Sequence, residues 1–314
     1  MRAKPSSISF VLPCYNEEEV LPVLYDKLKE TADSLKIPYE IVFVDDGSSD
    51  STWTKLAELA RRDSHIRAVK LSRNFGHQTA LTCGVDKACG EVVVIMDADL
   101  QDPPELVVDM VAKWQEGYDV VYGKRTGREG EGALKRFFAF CFYRVFKNIL
   151  KIPLPEDAGD FRLIDKKVAD ALRSLRERHR LIRALVVWIG FRQAAVEFRR
   201  PARAAGETKY PFKKSLLLAL DAITSFSLAP VRLVLFLGLL LFLIGVLMLI
   251  VSFFSSLSYV YTVLFLLAGV QLMAVGVVGE YVGKTFEQVK ERPLYFISEE
   301  IGSSKKAFSA PAEK

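Results

Sequence analysis

Glu91-Val92-Val93-Val94-Ile95-Met96-Asp97-Ala98-Asp99-Leu100-Gln101 decides the fold. An unbroken apolar run, β-branched from Val92 to Ile95, predicts a central strand covered on both faces, which is the situation of strands in parallel sheets. Other short Val- and Ile-rich runs, at Ile8–Leu12, Glu40–Val44, Ile66–Leu71 and Asp119–Tyr122, alternate with helical spacing at Val20–Leu35, Ser51–Ala60 and Gln78–Ala88. That alternation implies an α/β fold, a mostly parallel sheet joined by crossover helices. Open sheets of this kind bind ligands beyond the carboxyl ends of their strands. Three polar motifs fall there, each directly after a strand: Pro13-Cys14-Tyr15-Asn16-Glu17, Asp45-Asp46-Gly47-Ser48-Ser49-Asp50 and Asp97-Ala98-Asp99-Leu100-Gln101.

Asp97 and Asp99, two apart at a strand end, point to the same side and are placed to hold one divalent cation. Oxygen ligands, with only three histidines in the chain, favour Mg2+ or Mn2+, which bind through one or two carboxylates plus phosphate oxygens and water. An Asp-x-Asp alone is a weak signal, and its position after a buried strand gives it weight. Asp45-Asp46-Gly47-Ser48 reads in two ways: as a turn capping the helix near Ser51, or as a strand-end carboxylate accepting an N–H from a nucleotide base. Pro13 and Tyr15 suit packing against a base or ribose, with Glu17 as a polar contact.

The net charge is only +5, but Lys and Arg concentrate at 124–151, 173–183 and 192–214. Such runs serve as solvated helix faces, or meet anionic headgroups or a phosphorylated substrate. No nucleic-acid-binding module is recognisable, so nucleic acid is not an expected partner. The four cysteines form no CxxC pair and suit reduced thiols rather than zinc. Ile8–Leu12 is too short for a signal-peptide core, so the domain is expected not to be exported.

Between Arg232 and Glu280 lie 47 positions without a charge, enough for about 70 Å of helix, or two crossings of a ~30 Å hydrocarbon layer. A two-helix transmembrane hairpin is therefore expected, at about 232–254 and 259–282. Positive residues flank it (Lys213, Lys214, Arg232; Lys284, Lys290, Arg292) and are missing from its turn at Ser255–Ser258, which places both termini on the cytoplasmic side of an inner-membrane, multi-pass protein. Phenylalanines and basic residues interleave at 133–152, as in a core helix or one lying among membrane lipids, and 212–228 is a second such stretch. The expected divisions are 1–211 catalytic, 212–231 juxtamembrane, 232–283 spanning and 284–314 a tail, loose after Ser298. Copies are expected to associate as a homo-oligomer through the hairpin.

Six motifs occur in the order found in a known family: Leu12–Glu17, Val44–Asp50, Leu71-Ser72-Arg73-Asn74-Phe75-Gly76, Asp97–Pro104, Gly159-Asp160-Phe161-Arg162-Leu163 and Arg203-Ala204-Ala205-Gly206-Glu207-Thr208-Lys209. From about Ser9 to Gly283 the chain resembles family 2 glycosyltransferases of the polyprenyl-phosphate type, a group that includes dolichol-phosphate mannosyltransferases and bactoprenol glucosyltransferases. The resemblance implies a GT-A (Rossmann-like) domain, a nucleotide-sugar donor with UDP-glucose favoured, and inverting hexose transfer to a polyprenyl phosphate such as undecaprenyl phosphate. By the same resemblance, Pro13, Tyr15, Glu17, Val44 and Asp46 form the nucleotide pocket. Asp97, Ala98, Asp99 and Gln101 form the metal and diphosphate site, with Asp97, Asp99 and Gln101 as metal ligands. Arg125, Arg136, Arg203 and Lys209 bind phosphates, and Asp99, Asp160, Arg203 and Lys209 are the expected catalytic residues.

Physical chemistry gives those cations a purpose, because charge grows on the donor's terminal phosphate as the sugar leaves. Asp160 is open between two roles. It is a general base, or it orients a cation such as Arg162 or Arg136 or tunes the metal, since a phosphomonoester acceptor has a second pKa of about 6 and is already mostly a dianion at neutral pH. Asp157 is an alternative carboxylate nearby. Other readings weigh less: a processive polysaccharide synthase would carry an Arg-Trp pair that this chain lacks, a non-catalytic nucleotide-sugar-binding membrane protein would not need the full motif set, and a nucleotidyltransferase would need no hairpin.

Overall fold

The computed structural model describes residues 1–126, 155, 158–199 and 260–302, with isolated positions between 231 and 247. The chain divides into two compact units, Met1–Arg136, Ile152–Lys209 and Pro293–Lys314 in one, Phe137–Lys151 and Tyr210–Arg292 in the other.

The first unit is built on β1 (Ile8–Cys14), β2 (Tyr39–Asp45), β3 (Ile66–Leu71), β4 (Val92–Ile95), β5 (Val120–Arg125), β6 (Ala158–Asp165), β7 (Gln193–Phe198) and β8 (Ile297–Ile301). Their order across the sheet is β7-β5-β6-β4-β1-β2-β3-β8. β4, β1, β2 and β3 run parallel, as the alternation of strand and helix patterns predicts. The order reverses at β1, whose successor lies on one side and β4 on the other, and this is where open α/β sheets bind ligands.

Helices α1 (Leu21–Leu35), α2 (Thr52–Arg62), α3 (His77–Lys87) and α4 (Val107–Gln115) supply the crossovers. Every residue of β1, β2 and β4 is buried. Ile8, Phe10, Leu12 and Cys14 on one face of β1 share a cluster with Leu21, Leu24 and Leu28 of α1 and with Met110 and Trp114 of α4. Val11 and Val44, on the other face, lie under α3 at Gly84. Each fully buried Leu or Phe contributes about 1.5–3 kcal/mol, so burial on both faces makes this sheet a rigid platform for the loops at its edge. Two further helices, α5 (Lys166–Ser174) and α6 (Ile182–Ile189), pack together, and α5 also meets α3.

β6 is antiparallel to both β4 and β5, with Ile95 opposite Arg162 and Lys124 opposite Ala158. Its first residues therefore reach the edge at which β4 and β5 end. The tail expected to be loose after Ser298 is ordered at its start, where Ile297–Ile301 is the strand β8, antiparallel to β3. Glu300 accepts from Arg67 at 2.5 and 2.8 Å and from Lys87 at 2.7 Å, so a polar segment covers an otherwise open sheet edge.

The second unit contributes α7 (Val260–Val289). Among the described residues no helix is long and apolar enough to cross a membrane. This overturns the expected two-helix hairpin and with it the multi-pass, inner-membrane placement with cytoplasmic termini. Along α7 the charge-free run ends at Glu280, and Glu280, Lys284 and Glu287 occupy the last third. The expected self-association through the hairpin loses its basis in the same way. The stretches 133–152 and 212–228 lie outside the described residues, as does the first expected crossing apart from isolated positions.

Candidate active site

The carboxyl ends of β1, β2, β4 and β5 and the start of β6 bring most of the expected residues to one edge. Pro13 is buried near the end of β1, and Tyr15, just after it, is 40% exposed. Val44 is buried in β2 and Asp46 directly after it. Burial raises the Asp46 carboxyl, opposed by the N–H groups of Phe75 and Gly76, which donate to its two oxygens at 2.7 and 2.9 Å. Asp46 thus fixes the loop that follows β3. Gly47 permits that closeness: its φ is +68°, and a Cβ there would stand 2.5 Å from the Arg73 carbonyl carbon.

After β4 the chain turns through Leu100, whose φ of 59° is rare for a residue with a branched side chain. The turn lets the Gln101 N–H reach Asp99 Oδ1 at 3.1 Å. Ala98 and Gln101 are buried, and Asp97 and Asp99 are partly so. Asp102, also buried, accepts the Asp97 N–H through Oδ2 at 3.2 Å, and its Oδ1 lies 3.9 Å from Arg125 Nη2. Its carboxyl is pushed up to about 7, by burial first and the Asp97 charge next. Burial likewise raises Asp97, opposed by His77 and reinforced by Asp160 and Asp99.

Asp160 enters from β6. Gln78 Nε2 donates to its Oδ2 at 2.9 Å, and His77 Nε2 stands 3.5 Å both from that oxygen and from Asp97 Oδ1. Burial would raise the Asp160 carboxyl, but His77, Arg183 and Arg162 outweigh it and hold the group well below the usual carboxylate range. The same contacts act on His77: burial pulls it down, while Asp160, Asp97 and Asp46 together raise it to about 9. Arg162 is not bound to the Asp160 carboxylate. Its Nε and Nη2 donate to the backbone carbonyls of Asp160 and Gly159 at 3.1 and 2.7 Å. Gly159 also seats Arg125, for a Cβ at this position would lie 2.7 Å from Arg125 Nη2.

Asp97 Oδ1 and Asp102 Oδ1 are buried without a hydrogen-bond partner among the described residues. Orphan anionic oxygens of this kind suit a hard cation. Among the described residues no group of three or more Asp, Glu, His or Cys side chains is assembled to hold an ion.

Sequence reasoning gave no role to His77, Gln78, Asp102 or Arg183. His77 and Gln78 directly follow the Leu71–Gly76 motif and Asp102 lies within Asp97–Pro104, so their positions were signalled but not their contacts. Arg136, Asp157, Arg203, Gly206 and Lys209 lie outside the described residues.

Residues 9–173 match the family described as glycosyl transferase family 2. An uncharacterized glycosyltransferase of Bacillus subtilis (strain 168), YkcC, is 44% identical over 307 residues, with 95% of each chain covered. The prophage bactoprenol glucosyl transferase homolog of Escherichia coli (strain K12) is 37% identical, covering 92% of this chain and 98% of its own. The SfII prophage-derived bactoprenol glucosyl transferase of Shigella flexneri is 39% identical, covering 92% and 97%. With its GT-A-like α/β sheet and the acidic edge described above, this chain belongs to glycosyl transferase family 2 and is a glycosyltransferase.

Proposed function

We propose that the protein transfers a hexose, with inversion at the anomeric carbon, from a nucleotide-sugar donor to a polyprenyl phosphate. UDP-glucose is the favoured donor and undecaprenyl phosphate the favoured acceptor. The observation that carries this reading is the convergence of Asp46, Asp97, Asp99, Arg125 and Asp160 on one sheet edge, in a chain aligned almost end to end with relatives named bactoprenol glucosyl transferase.

In this reading Pro13, Tyr15, Glu17, Val44 and Asp46 receive the nucleoside, and Arg125 faces the phosphates. A divalent cation, Mg2+ or Mn2+, held by Asp97 and Asp99 with Gln101 beside them, would neutralise charge that grows on the departing diphosphate. Arg136, Arg203 and Lys209 add positive charge for the donor and acceptor phosphates, planar Arg by bidentate grip and Lys as a point charge. The acceptor's phosphate oxygen attacks the anomeric carbon as the bond to the diphosphate breaks, and one displacement inverts the centre. An acceptor that is mostly a dianion at pH 7 has no proton to surrender, and an Asp160 held ionised orders cations around the site rather than removing a proton.

The test is incubation of the purified protein with a panel of labelled nucleotide sugars, undecaprenyl phosphate and Mg2+ or Mn2+. Labelled lipid formed from UDP-glucose is the expected result. Transfer from another donor would correct the sugar, and absence of lipid product with every donor would overturn the reading.

A further inference from the structure

Gln78, the second residue of α3, makes two bonds of opposite polarity. Its Oε1 accepts the backbone N–H of Ile182, the first residue of α6, at 2.8 Å, and its Nε2 donates to Asp160 Oδ2 at 2.9 Å. An amide has one accepting and one donating end. With the oxygen anchored at Ile182, only the NH2 can face position 160, and a carboxylate there needs a donor. The chemistry of both partners therefore fixes the amide orientation. Gln78 also lies on the same helix as His77, which approaches the same Asp160 oxygen at 3.5 Å. Asp160 Oδ2 is thus held from α3, while Oδ1 is buried and has no hydrogen-bond partner among the described residues. The orientation of the carboxylate therefore rests on the contacts to Oδ2.

We propose that Gln78 is the positioning residue of Asp160 in glycosyl transfer, clamping Oδ2 between α3 and the start of α6 so that the carboxylate is held in one orientation at the site. This inference rests on the function proposed above. It differs from a packing role in one respect: it depends on the polarity of a single hydrogen bond, and that polarity can be reversed.

Gln78→Glu keeps the acceptor for the Ile182 N–H but sets a second carboxylate against Asp160. Adding Asp160→Asn reverses the bond, since the amide introduced at 160 can donate to the carboxylate introduced at 78. In the full-length chain, Gln78→Glu alone is expected to lower Tm by roughly 5 °C or more, because it sets two half-buried carboxylates against each other. The double variant should return to within about 2 °C of Asp160→Asn alone, the non-additivity expected of groups in contact. Turnover should not return with it, because the carboxylate at 160 is gone. Separately, Gln78→Ala should lower kcat for UDP-glucose and undecaprenyl phosphate about 10- to 100-fold, the penalty of a misplaced group. UDP affinity, measured by calorimetry with Mn2+, should stay within about threefold.

Additive Tm losses in the double variant would overturn the proposal, as would Gln78→Ala turnover within about twofold of wild type, or UDP affinity falling as far as kcat. Failure of the proposed function is distinguishable. Wild-type protein that binds UDP and transfers nothing would reject that reading and the positioning role in transfer with it, while the Tm cycle would still report on the bond itself.

Discussion

Asp102 accepts the backbone N–H of Asp97 through Oδ2 at 3.2 Å. The bond closes the acidic loop on itself, so that a buried carboxylate fixes the backbone of the residue expected to meet the cation. With its other oxygen 3.9 Å from Arg125 Nη2, Asp102 stands between the end of β4 and the end of β5. Asp102→Ala should lower transfer roughly tenfold or more by loosening both ends of that link, while Asp102→Asn, which keeps an acceptor for the N–H, should lose less. Equal activity in both variants, within about twofold of wild type, would show that the loop holds its shape without this bond.

Asp97→Asn and Asp99→Asn are expected to abolish transfer while leaving the melting temperature close to wild type. An amide oxygen is a weaker cation ligand than a carboxylate, and neither residue belongs to the apolar core that holds the sheet together. Activity within about threefold of wild type in either variant would remove that residue from the metal assignment.

Gly159→Ala tests the seat of Arg125. The added Cβ would lie 2.7 Å from Arg125 Nη2, and because the guanidinium is the free end of a long side chain, it moves rather than the sheet. The expected result is a loss of roughly tenfold in kcat/KM for the donor with little change in Tm, as a clamp displaced by about 1 Å would give. Full activity would mean that Arg125 does not act from this position.

Asp119, at the amino end of β5, bonds Arg2 Nη2 at 2.5 Å and Lys167 Nζ at 2.7 Å through one oxygen. Burial opposes ionisation, but the hydrogen bonds and charges of Arg2 and Lys167 prevail and hold the carboxyl below its ordinary value. The native state therefore takes up this proton less readily than the unfolded chain, so the contribution to stability is present at neutral pH and is lost as pH falls from the unfolded pKa through the native one. Asp119→Asn should cost on the order of 1–3 kcal/mol at pH 7. The gap to wild type should close in denaturant titrations as pH falls below the ordinary aspartate range. A gap that stays constant across that range would remove the ionised carboxylate as its source.

The parallel half of the sheet was legible because each of its strands is short, apolar and followed by a helix. The strands β6, β7 and β8 were not. In Ile297–Ile301 the charged residues look solvated, and their partners Arg67 and Lys87 stand more than 200 positions earlier. The site divides in the same way. Strand-end motifs announce Asp46, Asp97 and Asp99 by position, whereas Gln78 acquires meaning only from Asp160 and Ile182, 82 and 104 positions away. The membrane expectation rested on a count of missing charges, whereas no helix among the described residues is long and apolar enough to cross, and the last third of α7 carries Glu280, Lys284 and Glu287.

Asp160 admits a test that separates its two roles through the acceptor's own ionisation. A general base is needed only while the acceptor carries a proton, so the deficit of Asp160→Asn would shrink as pH rises from about 6 to 8 and the lipid phosphate becomes a dianion. An orienting anion is needed in either state, and its loss would cost a similar factor throughout. The structure favours the second outcome, because His77, Arg183 and Arg162 keep the Asp160 carboxyl ionised far below neutral pH, where it has little tendency to take a proton. The measurement is kcat/KM for undecaprenyl phosphate in wild type and Asp160→Asn at several pH values, with UDP-glucose saturating and Mg2+ titrated at each pH to remove any change in metal affinity. A ratio that stays constant within about threefold supports orientation. A variant that approaches wild-type activity at pH 8 would restore Asp160 as the base, and Gln78 would then be positioning a proton acceptor rather than a fixed charge.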